Sequence, residues 1–320
     1  MEPLACQEII NSNDYPIDEL QHPLRQQVID QVQAELADDG CAVIRNFFSI
    51  AGLAALKTEA LERKEQTYYS PNKKCNIYLG DGNPELPDDH PQNIFLERTN
   101  GFITADLYDK ESASYQLYYW EPLKLFLADC LKKEELYIYE DPVSNMIVNV
   151  GKPGQQFNWH FDTNEFTITM LLQAAESGGV FEYVPNLRTA EDECIEEVKK
   201  VLRGDRSRVK QLELNAGDLQ FFLGRFSLHQ VTENTGGMDR LLLIQSFTEK
   251  PGVIGSMYRV KDLYGKITEA HITNKQEKVR ADGLLDKNIW SKIIILTFHL
   301  KKYYENWIHR SRQCWRKTGR

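Results

Sequence analysis

Leu24, Val28, Val32 and Leu36 recur at every fourth position, a spacing that lines up one face of an α-helix. Gly40 predicts the end of that helix. CAVIRNFF (Cys41 to Phe48) then reads as a strand, and Ala51 to Lys64 as a second helix. The pattern breaks from Ser70 to Asn93, where GDGNPELPDDHPQN concentrates Gly, Pro, Asp and Asn and predicts a long loop. Tyr115 to Lys132 returns to helical spacing. From about Tyr137 to Thr248 the texture changes. Short runs rich in Val, Ile, Phe and Thr (SNMIVNVG, EFTITMLLQ, GGVFEYVP, GDLQFFLG, RLLLIQSF) alternate with glycine-bearing turns. Short strands at such regular spacing predict a sandwich or barrel. Thr189 to Lys210 interrupts them as a charged, helical insertion.

The pattern therefore predicts an α+β chain: a helical part over 15–135, a β-rich core over 136–250, and a distinct end. Over 287–320 there are nine basic residues and one acidic residue, Glu305. Ile293, Leu296, Leu300, Tyr303 and Trp307 share one face of a predicted basic amphipathic helix. Such a helix suits an anionic membrane surface, a partner protein, or packing on its own domain. We read 1–286 as one domain and 287–320 as a C-terminal extension.

Composition narrows the function classes. The 320 residues are 42% hydrophobic, with 15 Tyr, 14 Phe and 5 Trp, enough for a sizeable core. The net charge of −9 argues against nucleic-acid binding. Cys6, Cys41, Cys75, Cys130, Cys194 and Cys314 include no C-x-x-C pair, which predicts free thiols in a reducing compartment. MEPLACQEIINSNDYP lacks the basic and apolar regions of a secretory leader, and no apolar run is long enough for a membrane span. The expectation is a cytoplasmic protein.

The chemistry is concentrated in FNWHFDTNEFTITMLLQ (Phe157 to Gln173). His160 and Asp162 stand two apart, and on a strand such residues face the same side. A neutral imidazole and a carboxylate are two good ligands for a first-row divalent metal. With a second imidazole they make the facial triad of non-haem iron(II) oxygenases. His229, at the end of GDLQFFLGRFSLHQV, is the candidate third ligand. His22 and His90 neighbour prolines, and His271, His299 and His309 lie towards the tail. A lone histidine is more often a packed structural residue, and an H-x-D pair is common by chance. Arg240 follows His229 by eleven residues and opens the strand RLLLIQSF. Its guanidinium suits a carboxylate held by two parallel hydrogen bonds, or else an ion pair at the surface.

H-x-D, a distant H and a following R resemble the iron(II)/2-oxoglutarate-dependent oxygenase superfamily. The resemblance implies a double-stranded β-helix, a cupin-like jelly roll, with the predicted helices flanking it. It implies iron(II) at His160, Asp162 and His229, and 2-oxoglutarate at Arg240, with dioxygen as the other co-substrate. Asn149, on the strand MIVNV, resembles a position that contacts 2-oxoglutarate. WHFDTNEF, GGVFEYVPNLR, GRFSLHQV and RADGLLD together look like the BesD-like group, which holds free-amino-acid halogenases and related hydroxylases. This similarity runs roughly from Tyr15 to Asp286. In the halogenases of that group a glycine replaces the metal carboxylate and a halide takes its place. Asp162 keeps the carboxylate, so the resemblance implies hydroxylation of an unactivated C–H, with release of succinate and carbon dioxide. It further implies a free amino acid or similar small, amine-bearing metabolite as substrate.

Trp159, Thr163, Asn164 and Glu165 flank the metal motif and are candidate substrate contacts. Glu165 suits an ammonium, a ligand histidine, or a turn cap. Arg98, Thr99 and Asn100, with Asp106, are candidates for a lid over the site. Arg188 suits a substrate carboxylate or a structural ion pair. Desaturation, ring closure and peptide hydroxylation use the same cofactors. A metal-binding cupin-like protein without turnover is the alternative of another class.

Overall fold

The computed structural model describes residues 4–274 and Leu284. Two antiparallel sheets form the centre. The larger has six strands in the order Cys41–Ile44, Leu219–Phe222, Thr167–Gln173, Arg240–Gln245, Met146–Gly151 and Gly101–Ile103. The smaller has four in the order Lys210–Leu212, Phe181–Val184, Leu228–Val231 and Phe157–His160. From Met146 onward the chain crosses between sheets with each strand, apart from the added Lys210–Leu212 strand. That alternation is the winding of a double-stranded β-helix, so the expected fold class holds.

Side-chain alternation divides the larger sheet into two faces. Met146, Val148, Val150, Ile168, Met170, Leu172, Leu219, Phe221, Leu241 and Leu243 join the main apolar core. Val32 and Leu36 of the Pro23–Asp39 helix, Leu56 of the Ile50–Glu62 helix, and Phe126 and Leu127 of the Glu121–Cys130 helix belong to the same core. Each fully buried aliphatic or aromatic side chain contributes about 1.5–3 kcal/mol. The intervening residues, Ile147, Asn149, Thr167, Thr169, Gln220, Phe222 and Leu242, point into the jelly roll. The helices thus brace the sheet from behind and leave its polar inner face for a site.

The first predicted helix ends as expected. Gly40 takes φ +65 and its N–H donates to Leu36 O at 2.9 Å. The predicted Cys41–Phe48 strand stops at Ile44, because Asn46 turns the chain at φ 49 and sends Phe47 and Phe48 into the core. Tyr115 to Lys132 is two helices, Ala113–Tyr119 and Glu121–Cys130. Pro122, in the first turn of the second, has no N–H to give to Tyr118 O and its ring would clash there, so the helix cannot run through and Trp120 is extended between the two. The Thr189–Lys210 insertion is helical only over Ile195–Leu202. The left-handed Cys194 and Gly204 bound it. Helices Met257–Tyr264 and Glu269–Thr273 follow the last strand and were not expected. No helix of the described residues is long and apolar enough to cross a membrane. The predicted amphipathic helix of 287–320 lies outside the described residues.

Candidate metal centre and its neighbouring cavity

Strand pairing brings the two histidines together. His229 and His160 are direct cross-strand partners in the smaller sheet, with ring centroids 4.1 Å apart. Each Nδ1 faces the backbone carbonyl two residues earlier: Asn158 O at 2.8 Å for His160, and Ser227 O at 3.0 Å for His229. A carbonyl only accepts, so each Nδ1 carries the proton and donates it. In a neutral ring this leaves Nε2 with the lone pair, the form that ligates a metal. Burial pushes the His160 pKa well below the ordinary histidine value, and the neighbouring His229 pushes the same way. His160 is therefore neutral.

Asp162 arrives differently from the simple strand reading. The strand ends at His160, and Asp162 stands in the bend beyond it. Its N–H donates to Gly224 O at 3.0 Å, and the preceding Phe161 N–H donates to Ile77 O at 2.8 Å. Thr167 Oγ1 donates to Asp162 Oδ2 at 2.7 Å. Oδ1 is left facing His229 Nε2 at 3.6 Å. One ligand atom from each of His160, Asp162 and His229 lies within 4.8 Å of the others. Two imidazole nitrogens and a carboxylate oxygen fit a divalent first-row ion such as iron(II).

Arg240 opens the Arg240–Gln245 strand and is 5% exposed. Burial alone pushes its pKa down to about 10, and no carboxylate of the described residues forms an ion pair with it. A buried guanidinium without a counter-charge is costly, which favours an anionic ligand. Arg240 lines a small cavity that Asn149, Asn100 and Phe157 also line. Asn149 and Arg240 thus meet one cavity from adjacent strands, and the Phe157 ring stacks on His160 at 3.7 Å between centroids. Phe102, Ile147 and Leu263 form an apolar cluster, with Phe157, Ile244 and Tyr264 packed against it. This wall beside the metal ligands was missed in the sequence, because Leu263 and Tyr264 come from an unexpected helix.

The other predicted contacts are spread out. Trp159 points away from its neighbour His160 and packs in a separate cluster with Phe161, Val198 and Val201, under the Ile195–Leu202 helix. It is a core residue there, because strand alternation gives it the opposite face. Arg188 is 2% exposed. Its Nη1 pairs with Glu193 Oε2 at 2.9 Å, its Nε donates to Arg225 O at 2.6 Å, and its guanidinium covers the Phe161 ring at 3.9 Å. The ion-pair alternative describes it. Glu165 pairs with Lys133 at 3.0 Å. The carbonyl of Thr163 accepts from Arg225 Nη1 at 3.1 Å. Arg98 pairs with Asp262 at 3.0 Å, and Asp106 pairs with Lys266 at 2.7 Å. Of the suggested lid residues, Asn100 lines the Arg240 cavity.

Comparison with known proteins follows this geometry. Residues 101–255 match the family model HalD, described as Halogenase D. No curated protein matches the chain. A prolyl-4-hydroxylase from Pseudomonas putida shares 16% identity over 69% of this chain and 99% of its own, with a TM-score of 0.45. An oxidoreductase of the 2OG-Fe(II) oxygenase family from Burkholderia pseudomallei shares 13% identity over 69% of this chain and 91% of its own, with a TM-score of 0.45. The epimerase SnoN, solved with Fe3+, alpha ketoglutarate and nogalamycin RO, shares 13% identity over 70% of this chain and 84% of its own, with a TM-score of 0.47.

Proposed function

We propose that the protein is an iron(II)/2-oxoglutarate-dependent oxygenase that hydroxylates an unactivated C–H of a free amino acid or a similar small, amine-bearing metabolite. The observation that carries this reading is Asp162. Its carboxylate stands beside His229 Nε2 at 3.6 Å, within the ligand cluster. In the halogenases that the sequence resembles, a glycine leaves that position to a halide. A carboxylate there keeps a halide out.

When bound, iron(II) and 2-oxoglutarate supply the activation of dioxygen, with succinate and carbon dioxide as by-products. The chain's own residues hold and shield the site. The Nδ1 contacts to Asn158 O and Ser227 O fix both rings, and the two Nε2 atoms would hold the ion. The Thr167 hydroxyl fixes Asp162 Oδ2, so that Oδ1 is the oxygen presented. Arg240 would pair with the far carboxylate of 2-oxoglutarate, with Asn149 lining the same cavity. The apolar cluster of Phe102, Ile147 and Phe157 would shield a substrate carbon beside it from water.

The name of the matching family favours chlorination as a second reading. One experiment separates the two. Anaerobically purified, iron-loaded protein is given 2-oxoglutarate, oxygen, chloride and each of the twenty amino acids, with succinate assay and mass spectrometry. Succinate stimulated by one amino acid, with a product one oxygen heavier, is the expected result. Its abolition in Asp162→Ala ties the activity to the triad. A product in which chlorine replaces hydrogen would overturn hydroxylation. Absence of succinate under every condition would favour a metal-binding protein without turnover.

A further inference from the structure

Three polar residues stand in a row at Arg98, Thr99 and Asn100. Arg98 is tied to Asp262 and to Asn72 O. Thr99 Oγ1 accepts from Gln156 N at 2.9 Å, and Thr99 N–H donates to Gln156 O at 2.9 Å. Asn100 differs from both. It is 6% exposed, yet neither its Nδ2 nor its Oδ1 has a hydrogen-bond partner among the described residues. Buried amides are almost always satisfied, and an orphan calls for an explanation.

The sheet register shows where this amide lies. Gly101 pairs with Val150, which sets Asn100 across from Gly151. Gly151 pairs in turn with Arg240 on its other side. Asn100 shares its face with Phe102, two residues on, and Phe102 packs on inward-facing Ile147. The inner face of the sheet therefore carries the row Asn100, Gly151, Arg240. Its middle member has no side chain, and both ends line the same cavity. A Cβ on Gly151 would come no nearer than 3.8 Å to any atom outside its chain neighbours, so the slot between the ends is open.

The geometry points to Asn100 as a direct binding residue for the co-substrate. The far carboxylate of the dicarboxylate sits over Gly151 and is held by Arg240 on one side and by Asn100 Nδ2–H on the other. This inference rests on the proposed 2-oxoglutarate role of Arg240. It moves Asn100 from the suggested lid to the co-substrate site, and it gives the orphan amide its partner.

The test is calorimetric titration of 2-oxoglutarate into the full chain loaded with iron(II), under strict exclusion of oxygen so that binding is read without turnover. Asn100→Ala is expected to weaken binding by about tenfold or more, as loss of a hydrogen bond to a charged group requires. Asn100→Asp keeps the shape and sets like charges face to face, so it weakens binding further. Thermal unfolding supplies a second readout. A binding role leaves the melting temperature of ligand-free Asn100→Ala at or above that of the wild type and shrinks the rise caused by 2-oxoglutarate. Wild-type affinity in both Asn100 variants, with binding lost in Arg240→Ala, would overturn the inference alone. Wild-type affinity in Arg240→Ala would overturn the Arg240 clamp, and the inference with it.

Discussion

Gly224 stands directly against the carboxylate of Asp162. A Cβ built on Gly224 would lie 2.1 Å from Asp162 Oδ2 and 2.7 Å from its Cγ. The Gly224 carbonyl also accepts the Asp162 N–H at 3.0 Å. One residue thus fixes the backbone of the ligand and sets how far its side chain swings. Nothing local in the sequence marks Gly224, because the contact spans 62 residues and exists only once the strands have paired.

Gly224→Ala forces the Asp162 carboxylate out of place and is expected to weaken metal binding by about 10–100-fold, the range for changes next to a ligand. Thr167→Val removes only the hydroxyl bond to Oδ2 and belongs near the low end of that range. Iron(II) or manganese(II) titration of the purified variants measures both. Unaltered affinity in Gly224→Ala would mean that the Asp162 carboxylate is free to re-seat.

Gly179 plays a comparable part for Arg240, the proposed anion clamp. It takes φ +60, and a Cβ there would meet Arg240 Cδ at 3.1 Å and Ala175 Cβ at 3.2 Å. Gly179→Ala faces a left-handed backbone penalty of about 1–2 kcal/mol and presses on the stem of Arg240. Lower stability in urea is expected, together with a raised requirement for 2-oxoglutarate. A stability loss with no change in that requirement would show that Arg240 adapts without losing its grip.

How much of this was legible in the sequence depended on range. His160, Asp162, His229 and Arg240 stood out because ligand chemistry demands particular residue types at strand ends. The helix ending at Gly40 stood out because a repeat of four and a left-handed glycine are local signals. Failures came where tertiary contacts decide. Trp159 sits one residue from a ligand, yet alternation turns it to the opposite face. Arg188 has the chemistry of a carboxylate binder, but Glu193 and the Phe161 ring occupy its guanidinium. The helix of Leu263 and Tyr264 carries only eight residues, too few for a repeat to announce it.

Arg188 offers a test of that last distinction between binding and architecture. Arg188→Ala removes one partner of a buried ion pair together with its packing on the Phe161 ring, and is expected to destabilise by about 3–5 kcal/mol. Metal and 2-oxoglutarate affinities of the folded variant are expected to stay at wild-type values, as is saturation by the substrate identified in the amino-acid screen. Urea unfolding and substrate titration decide it. Full stability with impaired substrate saturation would return Arg188 to the binding site.

Glu182 provides the pH dependence. It is buried in the Phe181–Val184 strand, where burial alone would push its carboxyl up. Hydrogen bonds from Arg206, Gln211 and Gln230 outweigh that push and hold it below its ordinary value of 4.5. The unfolded chain therefore takes up this proton first as the pH falls. The stabilisation is complete above about 4.5 and is lost as the pH drops through the folded value. Glu182→Gln should cost about 1–3 kcal/mol at neutral pH, the worth of hydrogen bonds to a charged group. The difference from wild type should close in acid, where the wild-type carboxyl is itself neutral. Urea melts of both proteins across that range measure it, and a gap that stays constant into acid would mean that the charge of Glu182 adds nothing to the strand.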